Sequence, residues 1–288
     1  MVGEGRQDLQ AWVGRTEERH DVIQAERCVA LQAALNLPDD RLSDGDALPP
    51  LWHWLYFWDI APRSELGRDG HPALGRFMPP VGLSRRMWAG SRVTFPGALR
   101  LGEPATRVST IEKVAEKSGR SGKLVFVTVR HELSGSDGLA VVDEHDIVYR
   151  EDTGKGASAR PGEPAPDGAR WIEAVDPDPT LLFRYSALTF NGHRIHYDRD
   201  YARDVEGYDG LVVHGPLLAT MMVAAAARSA PDRSVSRFEF RGMRPVMDTE
   251  TFTVNVDPEG DDAVDVWVAN GEGMFAMRGR TEFVRGRA

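Results

Sequence analysis

Cysteine is almost missing from this chain. The single Cys28 excludes an internal disulfide and any cysteine-built zinc module, and it fits a reducing compartment. Basic residues are outnumbered, 35 Lys and Arg against 44 Asp and Glu, for a net charge of -9. A general nucleic-acid binder needs a basic face, so that class is excluded, although a few local arginines can still hold a small anion. Long hydrophobic runs are also lacking. The longest, Leu217 to Ala227, is interrupted by Thr220 and as a helix would reach about 16 Å, half the hydrocarbon of a bilayer. The first twenty residues contain no apolar core of the signal-peptide kind. The expectation is no membrane span and a cytoplasmic location.

What is present is an ordinary soluble composition, 41% hydrophobic and 27% charged over 288 residues, enough for two domains or one large one, with a real core either way. Residues 151–170, EDTGKGASARPGEPAPDGAR, hold four Gly, three Pro and four Ala but no Val, Ile, Leu, Met or aromatic residue. Such a stretch cannot bury enough apolar surface to offset its ordering entropy. It reads as a linker between an N-terminal domain, 1–150, and a C-terminal domain, 171–288.

In the second half, Phe252, Val254 and Val256 alternate with Thr251, Thr253 and Asn255, and Val264, Val266 and Val268 repeat the pattern. Both are half-buried strands. Val235–Arg241 and Met274–Val284 are two further strands, and the short Gly, Pro and Asn breakers between them imply an antiparallel sheet. A helix precedes them. His214-Gly215-Pro216 opens it, with proline at the first helical position, and Pro231 closes it. Its interior, LLATMMVAAAA, is apolar on every side, so it must be wrapped. An apolar helix wrapped by an antiparallel sheet is the plan of a hot-dog fold.

The first half shows this order less sharply. Asp21–Leu35 reads as an amphipathic helix with Val22, Val29 and Ala33 on one side, and Pro49-Pro50 opens a second apolar helix, LWHWLYFW. Strands are expected at Val108–Val114, Leu124–His131 and Ala140–Tyr149. Helices before strands, twice over, predict an α+β protein of tandem hot-dog type.

Between linker and wrapped helix lies RYSALTFNGHRIHYDRD, residues 184–200, with two histidines, an asparagine, two aspartates and three arginines. Asn191-Gly192 is a turn signal. The spacing resembles the motif of MaoC-like enoyl-CoA hydratases, Asp-x-Asn-Pro-(Leu/Ile)-His-x-Asp. His196-Tyr197-Asp198 then matches His-x-Asp, Asn191 falls on the catalytic aspartate and His193 on the asparagine. TFNGHRIHYD followed by YDGLVVHGPLLA is similar to the hydroxyacyl-thioester dehydratase type 2 branch and its mesaconyl-CoA (methylfumaryl-CoA) hydratase relatives. PPLWHWLYF, LGRDGHPALGRFMPP and RRMWAGSRVTF look like the N-terminal segments of that branch.

This resemblance implies reversible hydration of a 2-enoyl thioester, with coenzyme A entering only as part of an acyl-CoA substrate and with neither a further cofactor nor a metal. His196 is the expected proton carrier, and the Gly215 amide at the helix mouth the expected oxyanion donor. Asn191, unable to hold a proton near neutral pH, is expected to position water. Arg184, Arg194, Arg199, His214 and Arg86 are the expected substrate contacts. A homodimer is compatible with this plan but not required by it. Two other classes remain open: a hot-dog acyl-CoA thioesterase and a non-catalytic acyl-thioester binding subunit.

Plainer readings stand beside these. Asn191 is a common turn residue, Asp198 suits a salt bridge, and His214 suits a helix cap. Trp52–Trp58 suits core packing, with a substrate-tunnel lining as the second choice. Asp143-Glu144-His145-Asp146 reads as a solvated strand edge. Gly119 to Lys123 lacks the spacing of a phosphate loop.

Overall fold

The computed structural model describes residues 8–38, 42–83, 85–119, 122–151 and 162–285. Ten strands form one sheet in the order β1-β3-β4-β5-β2-β7-β10-β9-β8-β6. The chain runs β1 (Thr16–Val22), α1 (Ala25–Ala34), β2 (Arg85–Thr94), β3 (Pro104–Gly119), β4 (Gly122–Gly135), β5 (Gly138–Arg150), β6 (Trp171–Val175), α2 (Pro179–Thr189), α3 (Gly215–Ser229), β7 (Arg233–Gly242), β8 (Phe252–Pro258), β9 (Ala263–Ala269) and β10 (Phe275–Arg285). Every pairing is antiparallel. The two halves meet where β2 pairs with β7, from Gly90 opposite Arg241 to Thr94 opposite Arg237. This is the tandem hot-dog arrangement.

The wrapped helix is α3. Leu217, Ala219, Met222, Ala225 and Ala226 are fully buried, and the helix packs on β7, β8, β9 and β10. Each large apolar side chain buried here contributes roughly 1.5–3 kcal/mol. Its four strands match the expected ones to within a few residues.

The first half departs from expectation. Asp21 and Val22 belong to edge strand β1, paired with Ala105 and Pro104 of β3, and the helix begins only at Ala25. Its buried face carries Cys28 and Leu31, whereas Val22, Val29 and Ala33 point outward. The LWHWLYFW segment is a single 3-10 turn, Trp52–Leu55, entered through a left-handed Leu51 at φ 69°. Trp52, Leu55, Tyr56 and Phe57 are nevertheless buried, so the segment is core without being a helix. No helix of the described residues is long and apolar enough to cross a membrane.

Of the expected linker, residues 152–161 lie outside the described residues. The remainder runs along the start of β10: Ala165 N–H donates to Gly273 O and Phe275 N–H to Glu163 O, both at 2.9 Å.

Candidate active site

The motif loop is set by the end of α2. Asp178 caps this helix by accepting from Leu181 N–H at 2.7 Å, with Pro179 at the first position. Such a cap satisfies an otherwise orphaned amide. The helix ends at Phe190, which takes a left-handed conformation at φ 52° and stacks on Trp58 at 5.0 Å. Asn191 N–H returns to Ser186 O at 2.8 Å. Asn191 Oδ1 accepts from His193 N–H at 2.9 Å, closing an Asx turn.

His196 sits in a short 3-10 turn, 6% exposed. Its Nδ1 bonds Val212 O at 2.7 Å. A carbonyl only accepts, so Nδ1 carries the hydrogen and Nε2 keeps its lone pair. The ring stacks on His214 with centroids 3.7 Å apart and meets His193 edge-on at 5.3 Å. His193 in turn lies 4.6 Å from His71. Burial, reinforced by the neighbouring His193, pushes His196 down to about 3. Burial and the Arg86 charge take His193 down to about 4. Burial likewise holds His71 and His214 well below the ordinary value. The four imidazoles are neutral at neutral pH. Full burial disfavours the charged form of such a ring.

His214 is the N-cap residue of α3 but makes no capping bond. Its Nε2 pairs instead with Ser186 Oγ at 2.8 Å, and its Nδ1 is buried without a partner. Gly215 follows as the first helical residue. The N–H groups of a first turn have no intrahelical acceptor and carry partial positive charge. Sequence and structure thus put His196, His214 and the Gly215 amide at one place. Among the described residues no hydrogen bond links Asn191 to His196.

The arginines separate. Arg194 chelates Asp198 at 2.7 and 3.0 Å and lies over the Tyr201 ring at 4.1 Å. Arg199 pairs with the buried Asp248. Both arginines are held in ion pairs that tie down the loop. Arg184 lies exposed on α2. Arg86 projects from β2 close enough to act on both His71 and His193.

Sequence reasoning counted LGRDGHPALGRFMPP toward the family resemblance but gave no role to its turn, which braces this loop from the first half. Leu66 and Pro72 bridge, and Arg194 N–H donates to Asp69 O at 2.9 Å. Gly70, at φ +89°, faces Gly192 backbone to backbone. A Cβ on Gly70 would overlap the Gly192 carbonyl, and one on Gly192 would come within 2.8 Å of Gly70 O. Gly70→Ala should therefore lower turnover about tenfold and stability by about 1–3 kcal/mol, through strain at a positive φ. Equal activity and an unchanged melting temperature would show that the turn does not brace the loop. Asp69, His71 and His193 also place ligand atoms within 4.8 Å of one another, but the nearby Arg86 charge opposes a cation there.

A second buried constellation contradicts the solvated-edge reading of 143–146. Strand β5 is internal, and Asp143 is 1% exposed. Its Oδ2 takes three bonds: His145 Nε2 at 2.7 Å, Trp54 Nε1 at 2.9 Å and His53 Nε2 at 3.1 Å. Charges from His145 and the donors from His145 and His53 outweigh burial and hold Asp143 well below the usual carboxylate range. Trp88 packs against His145 at 4.9 Å and would lie 3.7 Å from a Cβ on Gly215, so it separates this hub from the mouth of α3. Asp143→Ala strands three donors at about 1 kcal/mol or more each. A loss of about 3 kcal/mol in urea unfolding is expected; a loss under 1 kcal/mol would contradict the hub.

Comparison with known proteins adds four findings. A model of the family "hydroxyacyl-thioester dehydratase type 2" matches residues 51–248. The mesaconyl-C(4)-CoA hydratase of Chloroflexus aurantiacus is 44% identical over 96% of this chain and 98% of its own length. A MaoC-like dehydratase from Phytophthora capsici superimposes with TM-score 0.70 at 14% identity, over 97% of this chain and 98% of that one. A Mycobacterium tuberculosis protein described as a double hot-dog fold does so with TM-score 0.60 at 13% identity, over 95% and 96%.

Proposed function

The chain belongs to the hydroxyacyl-thioester dehydratase type 2 family, and from that premise we propose that this hydro-lyase adds water to a short dicarboxylic 2-enoyl-CoA of the mesaconyl type. The near full-length identity to a mesaconyl-C(4)-CoA hydratase supports that acyl group. The observation that carries the chemistry is His196, buried with Nδ1 tied to Val212 O and Nε2 free, against the N-terminus of α3.

The reaction follows from that arrangement. His196 Nε2 takes a proton from water as the water oxygen bonds to the β-carbon. The electron pair of the double bond moves onto the thioester carbonyl oxygen. The Gly215 N–H and the partial charge of the helix mouth stabilise that oxygen, and a donor so placed is worth about 2.7–4 kcal/mol. Collapse of the enolate takes the proton from His196 to the α-carbon, restoring the neutral ring. A buried imidazole with a low pKa serves here because its cation forms only together with the enolate, which pairs with it. Asn191, its oxygen committed to the turn, offers its amide N–H groups to orient the water. Arg184, exposed on α2 and unpaired among the described residues, is the residue we assign to a coenzyme A phosphate.

The test is one assay with crotonyl-, long-chain enoyl- and mesaconyl-C(4)-CoA, following enoyl absorbance and free thiol together. Loss of absorbance without thiol supports hydration. Release of thiol would make the protein a thioesterase. Saturable binding with no turnover at any pH would make it a binding subunit.

A further inference from the structure

The hydroxyl of Tyr149 is buried and has no hydrogen-bond partner. Its residue is 1% exposed. A buried phenol left unpaired costs free energy that a ligand can recover. Tyr149 on β5 lies directly opposite Arg86 on β2, and directly paired residues project to the same face of a sheet. Arg86 is half-buried and makes no hydrogen bond or ion pair among the described residues. Its charge acts on Tyr149 as well as on His71 and His193. The His193 ring is 5.3 Å from that of His196. A free guanidinium and a free buried O–H therefore share one face, one imidazole away from the ring that activates water.

We propose that Arg86 and Tyr149 form the subsite for the second carboxylate of the acyl group. This rests on the hydratase reading above. In a mesaconyl-C(4) thioester the carboxylate is bonded to the β-carbon, the same carbon that receives the hydroxyl. It must therefore lie beside the attacking water, and the charge of Arg86 acts on His193, the ring next to His196. One carboxylate oxygen accepts from the guanidinium, the other from the Tyr149 O–H. Charge-assisted bonds of this kind are the strong ones. Asp69 is the one acid that also acts on Tyr149; it makes no ion pair with Arg86 among the described residues and leaves the guanidinium open. A monocarboxylic acyl chain would leave both donors unpaired, so selectivity follows from the unmet partners as much as from the met ones.

The experiment compares kcat/KM for mesaconyl-C(4)-CoA with that for crotonyl-CoA in the wild type, Arg86→Met and Tyr149→Phe. The wild type should prefer the dicarboxylate. Arg86→Met should lower the ratio of the two constants about tenfold to a hundredfold, and Tyr149→Phe about tenfold, as for a lost bond to a charged group. Equal proportional losses on both substrates would overturn the subsite, as would a wild type that favours crotonyl-CoA. Should Arg86→Met fail to fold, Tyr149→Phe, which keeps the ring, decides the matter alone. A wild type that hydrates neither substrate overturns the hydratase reading itself, and the two failures are thereby distinguishable.

Discussion

His196→Ala lowers kcat by about 10²–10⁴-fold, the contribution of a positioned general base, in a protein that remains folded. The substitution removes Nε2 and the donor to Val212 O. It also leaves His214 unstacked on one face. An unpaired buried carbonyl costs about 1–3 kcal/mol, a loss visible in melting but compatible with a native circular-dichroism spectrum. The oxyanion donor at Gly215 is untouched, so residual catalysis above the uncatalysed rate should persist. A variant within tenfold of the wild-type kcat would remove His196 from the mechanism and with it the reaction derived above.

Acidification should unfold the protein well above the usual carboxylate range. His53, His71, His131, His193, His196 and His214 are all held below their ordinary value by burial. In the unfolded chain each titrates near 6.5. Below that pH the unfolded state binds protons that the folded state refuses, so stability is complete above about 6.5 and declines as pH falls. Each such histidine contributes a slope of about 1.4 kcal/mol per pH unit. For His193 and His196 the slope persists to about 4 and about 3. The carboxylate of Asp143 acts in the same direction at lower pH, its contribution lost as pH falls from the unfolded value near 3.8 through its depressed folded one. Melting temperature measured from pH 7.5 to 5 should fall steeply below 6.5. A flat profile over that range would mean that these rings are solvated and that the site is open to bulk water.

The second half of the fold was legible because burial there follows local period. Phe252, Val254 and Val256 alternate, and α3 is apolar all round because sheet encloses it. Strand β1 was not legible. TEERHDV contains a single apolar residue, since an edge strand paired on one side needs charge against aggregation more than it needs a core face. Helix α2 carried its signal in Asp178-Pro179, a cap followed by a first-turn proline, lost beside the adjoining Pro- and Gly-rich stretch. The LWHWLYFW run misled because apolar content reports burial and not period. The site divides in the same way. His196, His214 and Gly215 lie in one stretch of chain. Arg86 was among the expected contacts, but His71 and Tyr149 come from two separate elements and were not, and the Asp143 hub joins residues 90 apart in sequence. Such long-range pairings leave no local spacing to read.

The close face-to-face approach of Gly70 and Gly192 constrains how this molecule can diverge. Most steric conflicts can be relieved by shrinking the opposing side chain, so neighbouring positions drift together over generations. Here each obstacle is a peptide carbonyl, present whatever the genetic code inserts. No compensating change at the other site exists, and relatives that retain this crossing are expected to keep both glycines even where everything around them has been exchanged.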